Sequence, residues 1–194
     1  MSEPDPTDQL TALVHTGLRV PHTRLTVTAL RQLSLHDGVA FTATLRHDRR
    51  IVGVIENQGT GGGTWFIPTH RATFGDADLQ AFADACRTTA GTVPTVEEVL
   101  DDLVTEYDTA RTVGRVQGRG RTLLRLYDHI YDEHDQPLGE PIIHSEATAP
   151  FPATEQARQA LISDLRAKVP AGPHAWWGIF NGRTWDDLTP RPTV

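Results

Sequence analysis

Three stretches decide the fold class: Leu25-Thr26-Val27-Thr28-Ala29, Val39-Ala40-Phe41-Thr42-Ala43-Thr44-Leu45-Arg46 and Ile51-Val52-Gly53-Val54-Ile55. In the first two, apolar residues alternate with Thr or Arg at a period of two, which is the pattern of a strand with one buried face. The third is almost continuously apolar and suits a more central strand. His47-Asp48-Arg49-Arg50 is a polar break ahead of it, so the region reads as an antiparallel hairpin or meander.

The segment that follows, Glu56-Asn57-Gln58-Gly59-Thr60-Gly61-Gly62-Gly63, holds four glycines in eight residues before Thr64-Trp65-Phe66-Ile67-Pro68 returns to strand-like residues. Glycines free the backbone to turn sharply. Successive N–H groups without side chains can also form a concave nest for phosphate or another anion. The loop lacks the Lys and Ser/Thr of a P-loop and does not match a dinucleotide fingerprint. It therefore reads either as a wide turn or as a ligand or partner contact built from Glu56, Asn57, Gly59, Gly61, Gly62, Gly63 and Trp65.

Phe41-Thr42-Ala43-Thr44-Leu45 followed by Asn57-Gln58-Gly59-Thr60-Gly61-Gly62 resembles the outline of a set of short bacterial and phage proteins in which a strand pair runs into Asn-x-Gly-x-Gly-Gly. The likeness covers roughly residues 39 to 66 and, more loosely, the acidic helix with its following arginines. It brings no activity with it.

Two helices are expected next. Asp76 caps one that carries Leu79, Phe82, Ala83 and Cys86 on one face and ends by Gly91 and Pro94. Thr95 and Glu98 form a capping-box pattern ahead of Val96, Val99, Leu100, Leu103, Val104 and Tyr107, the clearest amphipathic stripe in the chain. Its opposite face carries Glu97, Glu98, Asp101, Asp102, Glu106 and Asp108. Beyond it a hairpin is expected over Thr122–Tyr131 and 141–144, with its turn at 134–139. A third helix starts at the Thr154 cap and stops at Pro170 and Gly172. A last hairpin joins Ala175–Phe180 to Thr184-Trp185, with a type I′ turn at Asn181-Gly182.

The expectation is an α+β protein with mostly antiparallel sheet and three main helices, in the order meander, helix, helix, hairpin, helix, hairpin. Residues 1–18 read as a tail or, from the spacing of Leu10, Leu13 and Val14, a short helix. Residues 19–194 read as one domain, and the Arg-Gly stretch 114–120 is the one place where it could divide into two lobes. At 194 residues such a chain can bury roughly 70% of its unfolded surface. Hydrophobic residues make up 38% and charged ones 22%, which fits neither a disordered nor a membrane chain. No apolar run approaches the ~18 residues of a span, and MSEPDPTDQL lacks the basic flank and apolar stretch of a secretory signal. The expected place is the cytoplasm. Lys168 is the single lysine, a composition that suits translation from a GC-rich bacterial genome or its phage.

Chemistry is harder to find. One cysteine, Cys86, excludes an internal disulfide and a Cys-based zinc cage, and its place on an apolar stripe suits a packed thiol. Asp128, His129, Asp132, Glu133, His134, Asp135 and His144 crowd one region. As strand residues they do not converge, and they match no zinc or calcium spacing, so a solvated hairpin tip is favoured over a metal or acid–base site. His47-Asp48 and His36-Asp37 look like turn residues. No nucleophile motif is present. Neither a catalytic residue, a metal nor a cofactor is therefore assigned.

Arg111, Arg115, Arg119, Arg121 and Arg125 could track a single-stranded nucleic acid, but the neighbouring carboxylates compete for them. A net charge of −7, from 25 Asp and Glu against 18 Lys and Arg, also opposes nucleic acid at long range. Trp176 and Trp177 must point to opposite sheet faces, so one of them is expected to stay partly exposed or to meet a partner, unless a helix covers the second face. With Trp185 they complete an aromatic terminal hairpin. The reading is a small binding or accessory protein, phage- or mobile-element-related by its resemblance. Its contact surface is the glycine loop with Trp176, Trp177 and Trp185, and its partner is a protein or a second copy of the chain. The rival is a phosphate- or nucleotide-binding protein, or a hydrolase, that takes a small anionic ligand at the glycine loop; the third is single-stranded nucleic-acid binding through the arginines.

Overall fold

A computed structural model describes residues 10–36, 38–134, 136–169 and 172–192. Asp37, Asp135, Pro170 and residues 1–9 lie outside it, so the turn expected at His36-Asp37, the tip at Asp135, the helix stop at Pro170 and the first residues of the tail carry no structural account. Among the described residues the chain forms three helices and ten strands, all paired antiparallel, which is the expected α+β class and element order. No described helix is long and apolar enough to cross a membrane. The chain divides into two compact units between Ala110 and Arg111, just ahead of the Arg-Gly stretch.

In the first unit, β1 (Thr11–Ala12) pairs with β2 (Arg19–Val20). A strand thus stands where the spacing of Leu10, Leu13 and Val14 suggested a helix. The reason is tertiary: Glu106 accepts hydrogen bonds from the backbone N–H groups of Val14, His15 and Thr16 at 2.7–3.1 Å and holds the turn open. The meander follows as β3 (Leu25–Ser34), β4 (Val39–His47), β5 (Arg50–Asn57) and β6 (Trp65–Pro68), in that spatial order.

The alternation in β3 breaks at a bulge between Thr28 and Arg31, where Ala29 has φ of 54°. Ala29 therefore turns outward, and Leu30 takes the core place that strict alternation gave to it. A second bulge, between Leu45 and Arg46, re-aims β5.

Helices α1 (Asp76–Ala85) and α2 (Val96–Gln117) cover the inner face of this sheet. The core joins Leu25, Val27, Leu45 and Ile55 from the strands to Leu79, Phe82, Val99, Leu100 and Leu103 from the helices. The cap of α1 is Gly75, whose N–H is held by the Asp78 carboxylate at 2.8 Å, and Asp76 is the first helical residue. The helix stops at Ala85, ahead of Gly91, because Arg87 pairs through its backbone with Arg19. The capping box of α2 is present: Glu98 accepts from the Thr95 N–H at 2.7 Å, and the Thr95 hydroxyl accepts from the Glu98 N–H at 3.2 Å. Cys86 is fully buried, and burial pushes its thiol up to about 12.

The second unit carries β7 (Thr122–Tyr131), β8 (Pro137–Ala149), α3 (Glu155–Lys168), β9 (Trp176–Phe180) and β10 (Trp185–Asp187), with sheet order β10-β9-β7-β8. Thr154 caps α3, its hydroxyl accepting from the Ala157 N–H at 3.2 Å. The β9–β10 turn is centred on Gly182-Arg183 and not on Asn181-Gly182, since Phe180 faces Trp185 across the pair. Only Gly182 takes a positive φ, +105°. The Asn181 side chain instead accepts from the N–H groups of Arg183 and Thr184, which fixes Asn181 at the turn's entry.

Candidate functional site

The glycine loop is tied down from both sides. The Asn57 side chain accepts from the Gly59 N–H at 2.8 Å and donates to the Thr64 hydroxyl at 3.0 Å, closing the loop on itself. Gly59 has φ of +69°, and a Cβ there would stand 2.5 Å from the Ala40 nitrogen, so a side chain is excluded twice over. Gly61 and Gly62 border open space.

At the far end of the loop the chain meets α2. Glu97 accepts from the Thr64 N–H at 3.1 Å with its carboxylate against Gly63, and Thr64 donates its hydroxyl to Asp101 at 2.6 Å. The loop already faces an anion, supplied by its own chain. Glu97 and Asp101 would repel a phosphate brought to the same groups.

This use of carboxylates extends along α2. Glu97 and Asp101 hold the glycine loop, Glu98 closes the capping box and Glu106 holds the turn at Val14–Thr16. Asp102 shares their neighbourhood, and its carboxyl is pushed up to about 6 by burial and then by Asp101, Glu98 and Glu106. Asp101 is also raised, by burial and by Glu97, against the pull of the Thr64 bond. The sequence shows these acids as one helix face; what it does not show is that the face meets loop N–H groups.

Glu56 and Trp65 stand opposite each other on β5 and β6, on the outer side of the first sheet. The next outward pair is Val54 with Ile67. Trp65 is 58% exposed, Ile67 51% and Val54 38%, so three large apolar side chains share the face of the sheet opposite the one that α1 and α2 cover. Val54 and Ile67 were not singled out from sequence. Their signal was present in the outward positions of the strands, where Thr and Arg give way to Val, Ile and Trp.

The terminal tryptophans differ from expectation. Trp176 and Trp177 do point to opposite faces, yet both are buried, at 6% and 3% exposure. Trp177 enters the core under α3 with Leu124, Leu126, Ile162 and Ile179. Trp176 stacks on Tyr127, with ring centroids 5.1 Å apart, beneath the Arg191 guanidinium. The second face is covered in part by the last turns of α2, whose Val113 packs with Leu123 and Phe180, and otherwise by side chains of the sheet and the C-terminal segment. Trp185 is half-buried against Phe180 and lies under the Arg125 guanidinium.

The five arginines do not form one stripe. Arg111 and Arg115 lie on α2, Arg119 in the turn after it and Arg121 just before β7, where it donates to Thr148. Arg125, 1% exposed, bonds Glu146 at 2.9 Å inside the second sheet. It is therefore not available to a nucleic-acid backbone.

Asp128 accepts from the Tyr131 hydroxyl at 2.7 Å, the His129 N–H at 2.8 Å and the Gly172 N–H at 2.8 Å. Burial works to raise its carboxyl, and these bonds outweigh it, so the net shift is downward. Asp128 thereby pins β7 to the segment that enters β9. Among the described residues no group of three His, Cys, Asp or Glu side chains converges as a metal site.

Within the first unit, Glu56 and Asn57 lie at the opposite end of β4 from His47, since Phe41 pairs with Asn57 and His47 with Arg50. No family model matches the chain, and no curated protein or solved structure matches it.

Proposed function

We propose that the chain is an accessory protein that works by protein–protein contact, with the outer face of the first sheet as its contact surface and a second copy of the chain as the occupant. The observation that carries this reading is the row Trp65, Ile67 and Val54, exposed side by side on a sheet face. Tryptophan is enriched at the energetic centres of interfaces, and contiguous apolar surface of this kind marks interaction sites.

Two features favour face-to-face self-association. Edge pairing through β6, the strand that carries Trp65 and Ile67, is blunted, because β6 is four residues long and ends in Pro68, which has no N–H to offer. The face also carries charges of both signs: Glu56 and, across Thr42, Arg31 lie at the Trp65 end and Arg46, opposite Ile51, at the other. A two-fold axis across the strands brings Glu56 of one copy toward Arg46 of the next.

Light scattering across a micromolar concentration series tests it. The expected mass is that of a dimer, reverting to monomer in Trp65→Glu with the melting temperature unchanged. A monomer throughout, or a dimer that survives Trp65→Glu, overturns the reading.

A further inference from the structure

A cavity of about 570 Å³ lies in the first unit at the β4–β5 turn, far along the strands from the glycine loop. Its lining combines an apolar wall, Val52 and Phe74, with the basic side chains of His47, Arg49, Arg50 and His70. We infer that this cavity is a binding site for a small organic anion, a phosphate or carboxylate head on a flat apolar body.

The turn that carries the arginines is braced through its backbone. Asp48 donates its N–H to the Arg24 carbonyl at 2.7 Å, and Arg46 donates to the Arg49 carbonyl at 2.8 Å. Asp48 has φ of 55°, a left-handed conformation that Asp tolerates better than most residues. Strained positions held by surrounding bonds recur at binding sites.

The guanidinium groups themselves are left over. Among the described residues no carboxylate lies within ion-pair distance of Arg49 or Arg50. The one acid on the lining, Asp48, stands 3.9 Å from the His47 ring. In a chain of net charge −7 this is a concentration of unneutralised positive groups. Paired guanidinium forks match the oxygens of a phosphate or carboxylate.

The wall argues for the apolar body. Phe74 stacks on His47 with ring centroids 5.7 Å apart and planes 27° from parallel. Behind His47, at 5.8 Å, lies the His22 ring, whose Nδ1 is buried without a hydrogen-bond partner. Burial, then Arg24 and His47, hold the His22 pKa below its ordinary value, against the opposing pull of Asp48. A cleft with an apolar wall and a few convergent polar groups is the usual form of a small-molecule site.

Calorimetric titration of the full chain with phenyl phosphate, benzoate and inorganic phosphate is the test. One of the two aromatic anions is expected to bind, at least about tenfold more tightly than inorganic phosphate, the step that 1.4 kcal/mol represents. Which of the two binds tells a phosphate head from a carboxylate. The double variant Arg49→Ala/Arg50→Ala, in an exposed turn, is expected to lose at least tenfold in affinity while keeping its melting temperature. Imidazole proton shifts of His47 and His70 on titration place the ligand. The inference is overturned if neither aromatic anion binds, if inorganic phosphate binds as tightly, or if the double variant keeps full affinity. Because Arg46 of the proposed contact face braces the cavity turn and Ile51 lines the cavity, the titration is repeated in Trp65→Glu, a position that takes no part in the cavity: binding kept in that variant separates this inference from self-association, and binding lost with self-association overturns it.

Discussion

The two four-stranded sheets bury their strands differently. In the first, helices cover one face and the other stays open, so β4 and β5 alternate between core residues such as Leu45 and Ile55 and outward ones such as Thr44 and Val54. In the second, β7 runs buried from Thr122 through Leu126, and β9 is buried at every residue from Trp176 to Phe180. One of its faces packs under α3; the other is filled by Tyr127, Trp176, Arg125, Phe180 and Trp185 together with Val113 from the end of α2. A sheet with one dry face keeps the other for contact, whereas the second sheet, whose strand β9 and the first half of β7 are dry on both faces while β8 stays exposed, spends its aromatic residues on its own stability. Hence four tryptophans in one chain have opposite meanings. Trp65 is offered to solvent, and Trp176, Trp177 and, in part, Trp185 are structural.

Truncating one tryptophan from each sheet sharpens this contrast most. Trp177→Ala removes a side chain from a closed core and is expected to lower the unfolding free energy by about 3–5 kcal/mol. Trp65→Ala is expected to stay within about 0.5 kcal/mol, as exposed substitutions do, while abolishing self-association. Denaturant titration of both variants checks it; equal losses would mean that the outer face of the first sheet is not free.

A smaller effect tests how the loop beside that face is held. Thr64→Val keeps the shape but leaves the Asp101 carboxylate and the Asn57 amide without their shared partner. A loss of about 1–3 kcal/mol is expected, with faster amide exchange confined to residues 57–64.

The smallest effect is a matter of pH. The Asp102 carboxyl sits at about 6 in the folded protein, above its unfolded value near 3.9. Its ionised form is disfavoured by folding, so the fold is weakened above pH 6 and relieved as pH falls through that value. Asp102→Asn is expected to raise the melting temperature at pH 7, with the gain shrinking to nothing by about pH 4. A gain that is the same at both pH values would assign it to packing rather than charge.

Much of the fold is legible residue by residue. The Thr42 and Thr44 alternation, the Thr95 and Glu98 capping box and the Thr154 cap are local signals, and the structure contains each of them. Local signals fail where a distant group intervenes. Leu10, Leu13 and Val14 have helical spacing, but Glu106, more than ninety positions away, captures the backbone beside them. Ala29 alternates correctly until a bulge hands its place to Leu30. The candidate sites are less legible. Trp65 and the glycine loop stand out in the sequence, but the pairing of Trp65 with Val54 and Ile67 depends on strand register, and His70 and Phe74 reach the Arg49–Arg50 turn only through the path of the chain after β6.

The sequence by itself determined the class, the element order and the acidic stripe of α2, because period, caps and turn residues act within a few positions of one another. Tertiary structure alone decided which tryptophan is exposed, which carboxylates are partnered and which arginines remain free. Those outcomes depend on what each side chain meets across the fold, and the loss of water at each contact is fixed only when the distant surface arrives.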